Sequence, residues 1–344
     1  MTTPPNLAEE TVAPDEAALT ADFISFLKAA SAKRHPTGSV PRFNQGRAAG
    51  CVEAELTIPQ GLPAELQVGL FARAQTYRAR IRFANAASQS DREKDVRGMS
   101  IKVFDVSGAG PTGGENLTPG ETVQDFILNS HPVMMVGGTR DFLELLQANE
   151  AGGARRALFF LTHLRAASVA LASRQNATSH LEISYWSTTP YLFGPGRAVK
   201  YIARPSEAGT TPLPDPLTDT YLHDRLAARL ARQDASFDFM VQFQTDARKM
   251  PIEDASVEWR ERDSPYRTVA HIRIPKQTVE APRGPGGLDG PDALDAAARC
   301  EQMSFNPWNC LAAHRPLGGF NRARRDIYLA MAAFRQLRAS SGTR

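Results

Sequence analysis

The C-terminal stretch SFNPWNCLAAHRPLGGFNRARRDIYLAMAAFRQLR, residues 304–338, carries the clearest chemical pattern in the chain. Its second half predicts a helix over about residues 319–338. On that helix Arg324, Tyr328 and Arg335 follow one another at intervals of four and seven residues. Because this spacing brings side chains to one face of an α-helix, we expect two arginines and a tyrosine to share a face that is otherwise apolar.

This helix has two interpretations. A phenol beside a guanidinium is stabilised as a phenolate, and a phenolate is a hard anionic ligand suited to ferric haem. Alternatively, the helix is an ordinary amphipathic one, in which Tyr328 packs in the core and the arginines extend their charged ends to water. The helix by itself leaves both interpretations open.

The rest of the chain predicts antiparallel strands followed by helices. In YRARIRF, residues 77–83, the residues alternate strictly between an apolar face and a face of arginines. Further strand-like runs, separated by clusters of Gly, Pro, Asn and Asp, cover residues 50–58, 99–106, 123–128, 198–202, 237–244 and 267–274. Helical patterns cover about 18–33, 139–149, 153–174, 217–232, 290–299 and 319–338. The pattern indicates an α+β fold, in which a closed antiparallel β-barrel removes the exposed strand edges.

The domain organisation follows from composition. Residues 1–18 are dominated by Pro, Thr and acidic residues and predict a disordered N-terminal arm. Residues 19–344 then form a single domain. The Gly- and Pro-rich stretches 107–121 and 281–290 are interpreted as loops within that domain, because strand signals resume directly after the first.

Charge and cysteine usage limit the possible partners and compartments. The net charge is +3, and no cluster of Lys and Arg is interleaved with aromatic residues, which argues against nucleic-acid binding. Cys51, Cys300 and Cys310 match no zinc or disulfide spacing, which favours a reducing compartment. The N-terminus has no signal-peptide pattern, and the most apolar stretch, residues 157–172, is too short to span a membrane. We therefore expect a cytoplasmic protein with no membrane span.

Four blocks of sequence, taken together, resemble the catalase superfamily, and within it the short catalase-related haem proteins. They are PRFNQGRAAGCVEAELTI, RIRFANAASQSDREKDVRGMSIKVFD, DFILNSHPVMMVGGTRDF and SFNPWNCLAAHRPLGGFNRARRDIY, in that order along the chain. The resemblance spans roughly residues 30–338. It implies a catalase-like β-barrel that binds haem b (iron protoporphyrin IX).

The resemblance assigns expected roles to residues on the proximal side of the haem. Tyr328 falls at the position of the iron ligand, and Arg324 at that of the arginine that polarises the phenolate. Arg42, Arg82 and Arg335 match arginines that bind the haem propionates. Three guanidinium groups for two carboxylates make chemical sense, because a buried carboxylate needs a paired charge and planar donors.

On the distal side the resemblance is broken at the position that matters most for catalysis. Asn129 aligns with the asparagine that hydrogen-bonds the bound oxygen, and Phe142 with a phenylalanine that lies against the porphyrin. Gln45, however, stands where the family has its distal histidine, and Ala84 replaces the serine that orients that histidine. An amide has no usable pKa for moving a proton, so we expect fast dismutation of hydrogen peroxide to be lost.

Several residues near these positions have more than one interpretation. His131 shares a strand face with Asn129 and is a candidate pocket residue, whereas His35 is expected in a loop. Asn44 is expected to point away from the pocket if its segment is extended. Met134 and Met135 replace aromatic residues and predict either an adaptable apolar pocket or plain core packing.

The function implied by the resemblance is that of a haem enzyme acting on a small organic substrate, namely an organic or fatty-acid hydroperoxide, by peroxidase, isomerase or lyase chemistry. The alternatives are a non-catalytic haem carrier or sensor, a haem dehydratase, and residual catalase activity. The short N-terminal arm predicts a monomer or homodimer.

Overall fold

The computed structural model describes residues 6–38, 40–108, 114–115, 117, 120–209, 211–280, 300 and 303–341. Its strands are β1 Arg47–Ile58, β2 Gln75–Asn85, β3 Arg97–Val103, β4 Gly114–Glu115, β5 Gln124–Asn129, β6 Tyr185–Trp186, β7 Tyr191–Leu192, β8 Ala198–Pro205, β9 Ala235–Phe243, β10 Arg267–Ile274 and β11 Cys310–Leu311. Its helices are α1 Glu16–Arg34, α2 Thr139–Ala151, α3 Gly153–Thr162, α4 Leu164–Ser173, α5 Tyr221–Leu230 and α6 Gly319–Ser341.

Eight antiparallel strands close into a barrel. The order around the ring is β1, β2, β3, β5, β6, β8, β9 and β10, and the pairing of β10 with β1 and of β6 with β8 closes it. The predicted α+β fold with a closed antiparallel barrel is confirmed. All seven strands predicted from sequence are present, because alternating apolar and polar residues fit a surface with one face on a packed core.

The barrel interior is filled by the side chains of every second residue. On β3, Met99, Ile101 and Val103 belong to this interior cluster, together with aromatic residues such as Phe126 and Phe239. Gly98, Ser100 and Lys102 alternate with them and therefore face outward. Every residue of β3 is nonetheless buried, because other parts of the chain cover the outer face of the barrel here.

The helices that bear on this outer face are α1, α2 and α6. They share an apolar cluster in which Phe23 and Leu27 of α1, Leu143 of α2, and Ile327 and Met331 of α6 are buried. Leu27 lies four residues after Phe23, and Met331 four after Ile327, so each pair presents one face of its helix to the cluster.

Two of the helices predicted from sequence do not appear in the structure as predicted: one is divided into two, and one lies outside the described residues. The single helix predicted over residues 153–174 is two helices, α3 and α4, that meet at His163. The helix predicted over 290–299 lies outside the described residues, as does the loop predicted over 281–290. Of the loop predicted over 107–121, the described part contains the short strand β4, which pairs with β11.

The N-terminal segment contacts the body of the protein. The backbone N–H of Ala8 donates to Gln244 Oε1 at 2.7 Å. Glu10 forms ion pairs with Arg322 and, at 2.8 Å, with Arg315. These contacts differ from the disordered arm predicted over residues 1–18, because two of the acidic residues that suggested disorder, Glu10 and Glu16, have arginine partners on and beside α6. Of that predicted arm, residues 1–5 lie outside the described part of the chain.

Cys51 and Cys300 form a disulfide, with Cα atoms 6.3 Å apart, while Cys310 is a buried free thiol. The spacing of the cysteines, which matches no disulfide framework, did not reveal this pair. The two cysteines are separated by 249 positions, and sequence spacing carries no information about a contact of that range. The reducing compartment predicted from their spacing loses its basis. Among the helices of the described residues, none combines the length and apolarity needed to cross a bilayer.

Candidate functional site

A cavity of about 490 Å³ lies between the outer face of the barrel and helices α1, α2 and α6. This volume is in the range of small-molecule and cofactor sites. Each of the site residues predicted from sequence lines it, although they come from three strands or their flanks and two helices: Arg42, Gln45, Arg82, Asn129, Phe142, Arg324, Tyr328 and Arg335.

The α6 wall of the cavity carries Tyr328 and, one turn before it, Arg324. The Arg324 guanidinium donates to Thr189 Oγ1 and to Asn321 Oδ1, both at 3.2 Å. Asn321 is itself fixed, because its amide nitrogen donates to the carbonyl oxygens of Pro190 and Leu317. The arginine is thereby held next to the cavity by a buried polar network that ties α6 to the segment before β7.

The turn at residues 305–309 leads from the cavity wall towards α6. Its anchor is Asp125 on β5, whose Oδ2 accepts hydrogen bonds from Asn306 N at 2.9 Å and from Asn309 Nδ2 at 2.8 Å. Lys102 of β3 lies 2.9 Å from Asp125 Oδ1, and both side chains are fully buried. Sequence reasoning missed Lys102 and Asp125, although they hold the turn that carries Phe305 into the cavity lining.

The cavity is strongly basic. Arg82 is 1% exposed and donates to the carbonyl oxygen of Gln45 at 2.9 Å. Arg42 donates to the carbonyl oxygen of Met303 at 2.8 Å. Arg335 lines the same space, and no Asp or Glu of the described residues does. The lining therefore combines apolar and aromatic side chains with several arginines.

On the barrel wall, Gln45 is held in an unusual backbone conformation. Its φ is +56°, and its backbone N–H donates to the carbonyl oxygen of Ala86 at 2.8 Å. Its side chain donates from Nε2 to Asn129 Oδ1 at 3.3 Å, and Ser100 Oγ lies 3.5 Å from Gln45 Oε1. Ser100 also lines the cavity and is a site residue that sequence reasoning missed.

The positive φ at Gln45 also bears on the expected orientation of Asn44. Asn44 was expected to point away from the pocket if its segment were extended. The segment bends instead, and both Asn44 and Gln45 line the cavity. Consecutive residues alternate between faces only along an extended strand.

The remaining candidates divide between the cavity and its surroundings. Met134 lines the cavity, whereas Met135 packs in the apolar cluster behind it. His131 is not among the lining residues. Burial lowers the pKa of His131, and the nearby Glu258 opposes that effect. His35 follows the end of α1, as expected of a loop residue.

Comparisons with known proteins bear on the fold. No family model matches the chain, and no curated protein sequence matches it. Among solved structures, a fungal catalase superposes with a TM-score of 0.63, catalase A from Saccharomyces cerevisiae with 0.67, and a bacterial catalase with 0.65. The chain has the catalase fold.

The similarity to these catalases is structural. Sequence identity is 14% in each case, and the matches cover 95–97% of this chain. The chain spans 63–68% of the length of these catalases. The catalase fold therefore accounts for nearly all of this chain, while the catalases contain a further third that has no counterpart in it.

Proposed function

We propose that this chain is a haem enzyme of the catalase type that acts on an organic hydroperoxide. The observation that supports this most directly is the composition of one cavity. It brings together a tyrosine, an arginine one turn before that tyrosine and four further arginines. Such a set suits a large apolar ligand that carries two carboxylates and a Lewis-acidic metal.

The residues present fit haem b. Tyr328 would supply the phenolate ligand, and Arg324 the positive charge that favours the phenolate. Arg42, Arg82 and Arg335 would pair with the two propionates, because a guanidinium binds a carboxylate through parallel hydrogen bonds. Apolar and aromatic side chains would contact the ring, among them Ile127, Phe142, Phe320 and Met331.

When bound, haem supplies a redox-active iron that can break an O–O bond. The residues of the chain around the haem would determine which peroxides react rapidly. Rapid dismutation of hydrogen peroxide needs a group that takes a proton from one oxygen and returns it to the other. Gln45 and Asn129 can donate hydrogen bonds to oxygen, but neither amide can carry a proton at neutral pH. Loss of such acid–base help costs on the order of 10²–10⁴ in rate.

The apolar part of the cavity favours an organic substrate. Met134, Phe142 and Leu146 line it next to Phe23 and Leu27 of α1, and an alkyl or fatty-acid chain placed against them would bury apolar surface. Methionine adapts to irregular shapes. An isomerase or lyase reaction, in which the substrate rearranges after O–O cleavage, makes no demand on a proton shuttle and is compatible with Gln45.

The decisive experiment is a spectrum of the full chain purified after expression with ample haem supply. We expect a high-spin ferric Soret band that is lost in Tyr328→Phe and kept in Tyr77→Phe, a tyrosine outside the cavity lining. A colourless protein, or a band unchanged in Tyr328→Phe, would contradict the proposed ligand. Mixing with an alkyl hydroperoxide should then give rapid turnover. Haem uptake without any turnover would favour a carrier or sensor instead.

A further inference from the structure

The amides of Gln45 and Asn129 share one hydrogen-bonded arrangement that includes Ser100. Gln45 Nε2 donates to Asn129 Oδ1 at 3.3 Å, and Gln45 Oε1 accepts from Ser100 Oγ at 3.5 Å. Each amide oxygen therefore already has a donor from the protein. The hydroxyl of Ser100 sets the orientation of the Gln45 amide, because it offers a hydrogen to the oxygen end.

The hydrogen-bond donors that remain in this arrangement are all amide N–H groups. A primary amide carries two N–H groups. One N–H of Gln45 and both N–H groups of Asn129 have no acceptor among the described residues, whereas each carbonyl oxygen already accepts one hydrogen bond. Histidine is absent from the described lining of the cavity, as are Asp and Glu. This wall therefore offers donors and no base.

The backbone around Gln45 is shaped to keep the amide in place. Gly98 of β3 lies directly against the amide, where an added Cβ would be 2.8 Å from Gln45 Oε1 and closer still to Nε2. Gly98 is also the cross-strand partner of Asn129, and Ser100 is that of Arg82. Arg82 in turn binds the Gln45 carbonyl at 2.9 Å. Neighbouring strands thus supply the glycine that packs against the Gln45 amide, the Ser100 hydroxyl that orients it and the Asn129 amide.

We infer that this wall is a binding site for a hydrogen-bond-acceptor atom, to which it donates hydrogen bonds without taking a proton, and that Ser100 is the positioning residue that turns the Gln45 N–H towards the cavity. The site recognises oxygen lone pairs or a small anion by donation alone. The inference deepens the proposed function and rests on it, since it describes how the haem-loaded site holds the substrate oxygen.

Fluoride is a suitable probe, because it is a strong acceptor without a proton. We expect ferric, haem-loaded Gln45→Met, which keeps the side-chain volume and removes the donor, to bind fluoride roughly 10- to 100-fold more weakly than the parent. Ser100→Ala should weaken fluoride binding as well, because the amide can then present its oxygen. Ser100→Thr, which keeps the hydroxyl, should restore it. His131→Gln, outside the cavity lining, serves as the control.

The outcomes are separable. An unchanged fluoride affinity in Gln45→Met, with haem bound, overturns the inference while leaving the proposed function intact. Equal affinities in Ser100→Ala and Ser100→Thr overturn the role of Ser100, and this comparison decides the matter if Gln45→Met fails to take up haem. A parent protein without a Soret band overturns the proposed function and the inference with it.

Discussion

Asp125→Asn is expected to be among the most destabilising single substitutions next to the site. The Asp125 carboxylate and the Lys102 ammonium are both 0% exposed, with Nζ 2.9 Å from Oδ1. An amide at position 125 can keep an oxygen for Asn306 and Asn309, which donate to Oδ2 at 2.9 and 2.8 Å. Its NH₂ group would then face the ammonium. The Lys102 ammonium, which also donates to Oδ2 at 3.1 Å and lies 3.4 Å from Glu121, would keep these two contacts but lose its fully buried counter-charge.

The expected size follows from the cost of an unpaired buried charge. Breaking a buried ion pair by removing one partner costs about 3–5 kcal/mol. A chain of 344 residues unfolds with an entropy of about 0.7 kcal/mol/K, so the melting temperature should fall by about 4–7 °C. Haem uptake should weaken too, because the same contacts hold the turn that brings Phe305 to the cavity.

The control is the double variant Lys102→Met/Asp125→Asn. Burial raises the pKa of the Asp125 carboxyl, and Lys102 is the largest opposing influence, so the charged pair gains little over a neutral one. The double variant should recover most of the stability lost in Asp125→Asn, as measured by thermal and urea unfolding. A double variant that is no more stable than the single one would refute the reasoning.

Three further outcomes are expected. Gln45→His should raise hydrogen peroxide dismutation by on the order of 10² or more, measured as oxygen release; no gain would contradict the explanation offered for the distal site. Thiol titration in denaturant should find one thiol before reduction, from Cys310, and three after it, because Cys51 and Cys300 are joined. Burial lowers the pKa of His314 from 6.5 to about 4. The unfolded chain then binds the extra proton between these values, so stability falls as the pH drops. The contribution of His314 should shrink by about 2 kcal/mol from pH 7 to pH 5, and His314→Gln should remove that part of the pH dependence in urea unfolding.

Much of the fold could be predicted because its signals are local. Strand β2 alternates apolar residues and arginines over residues 77–83. Helix α6 repeats its apolar residues at helical spacing, so both elements could be recognised from sequence. Strands β6 and β7 contain two residues each, which is too short for any alternation to be visible. The break between α3 and α4 at His163 has no proline or glycine to mark it. Local patterns therefore gave the main barrel strands and missed the short elements between them.

The parts of the site that could not be predicted depend on register and on distant contacts. Ser100 reaches Gln45 only because β3 pairs with β2 so that Ser100 lies opposite Arg82. The amino-acid sequence of neither strand determines that register. A shift of one residue would turn Ser100 into the barrel interior. The pairing of Cys51 with Cys300 and the contacts of Glu10 with α6 likewise join residues far apart in sequence.

The differences from the catalase pattern on the barrel wall form a consistent set. The resemblance places Ala84 where catalases have an orienting serine, and Ala84 is paired with Gly98, which packs against the Gln45 amide. The hydroxyl that orients residue 45 comes instead from Ser100, two residues further along β3 on the same face. The Gln45 amide is thus fixed from two sides, by the Ser100 hydroxyl at its oxygen and by Asn129 Oδ1 at its nitrogen. Under the proposed function, this hydrogen-bonded arrangement lets Gln45 and Asn129 donate hydrogen bonds to a substrate oxygen, whereas a histidine at position 45 would move its proton.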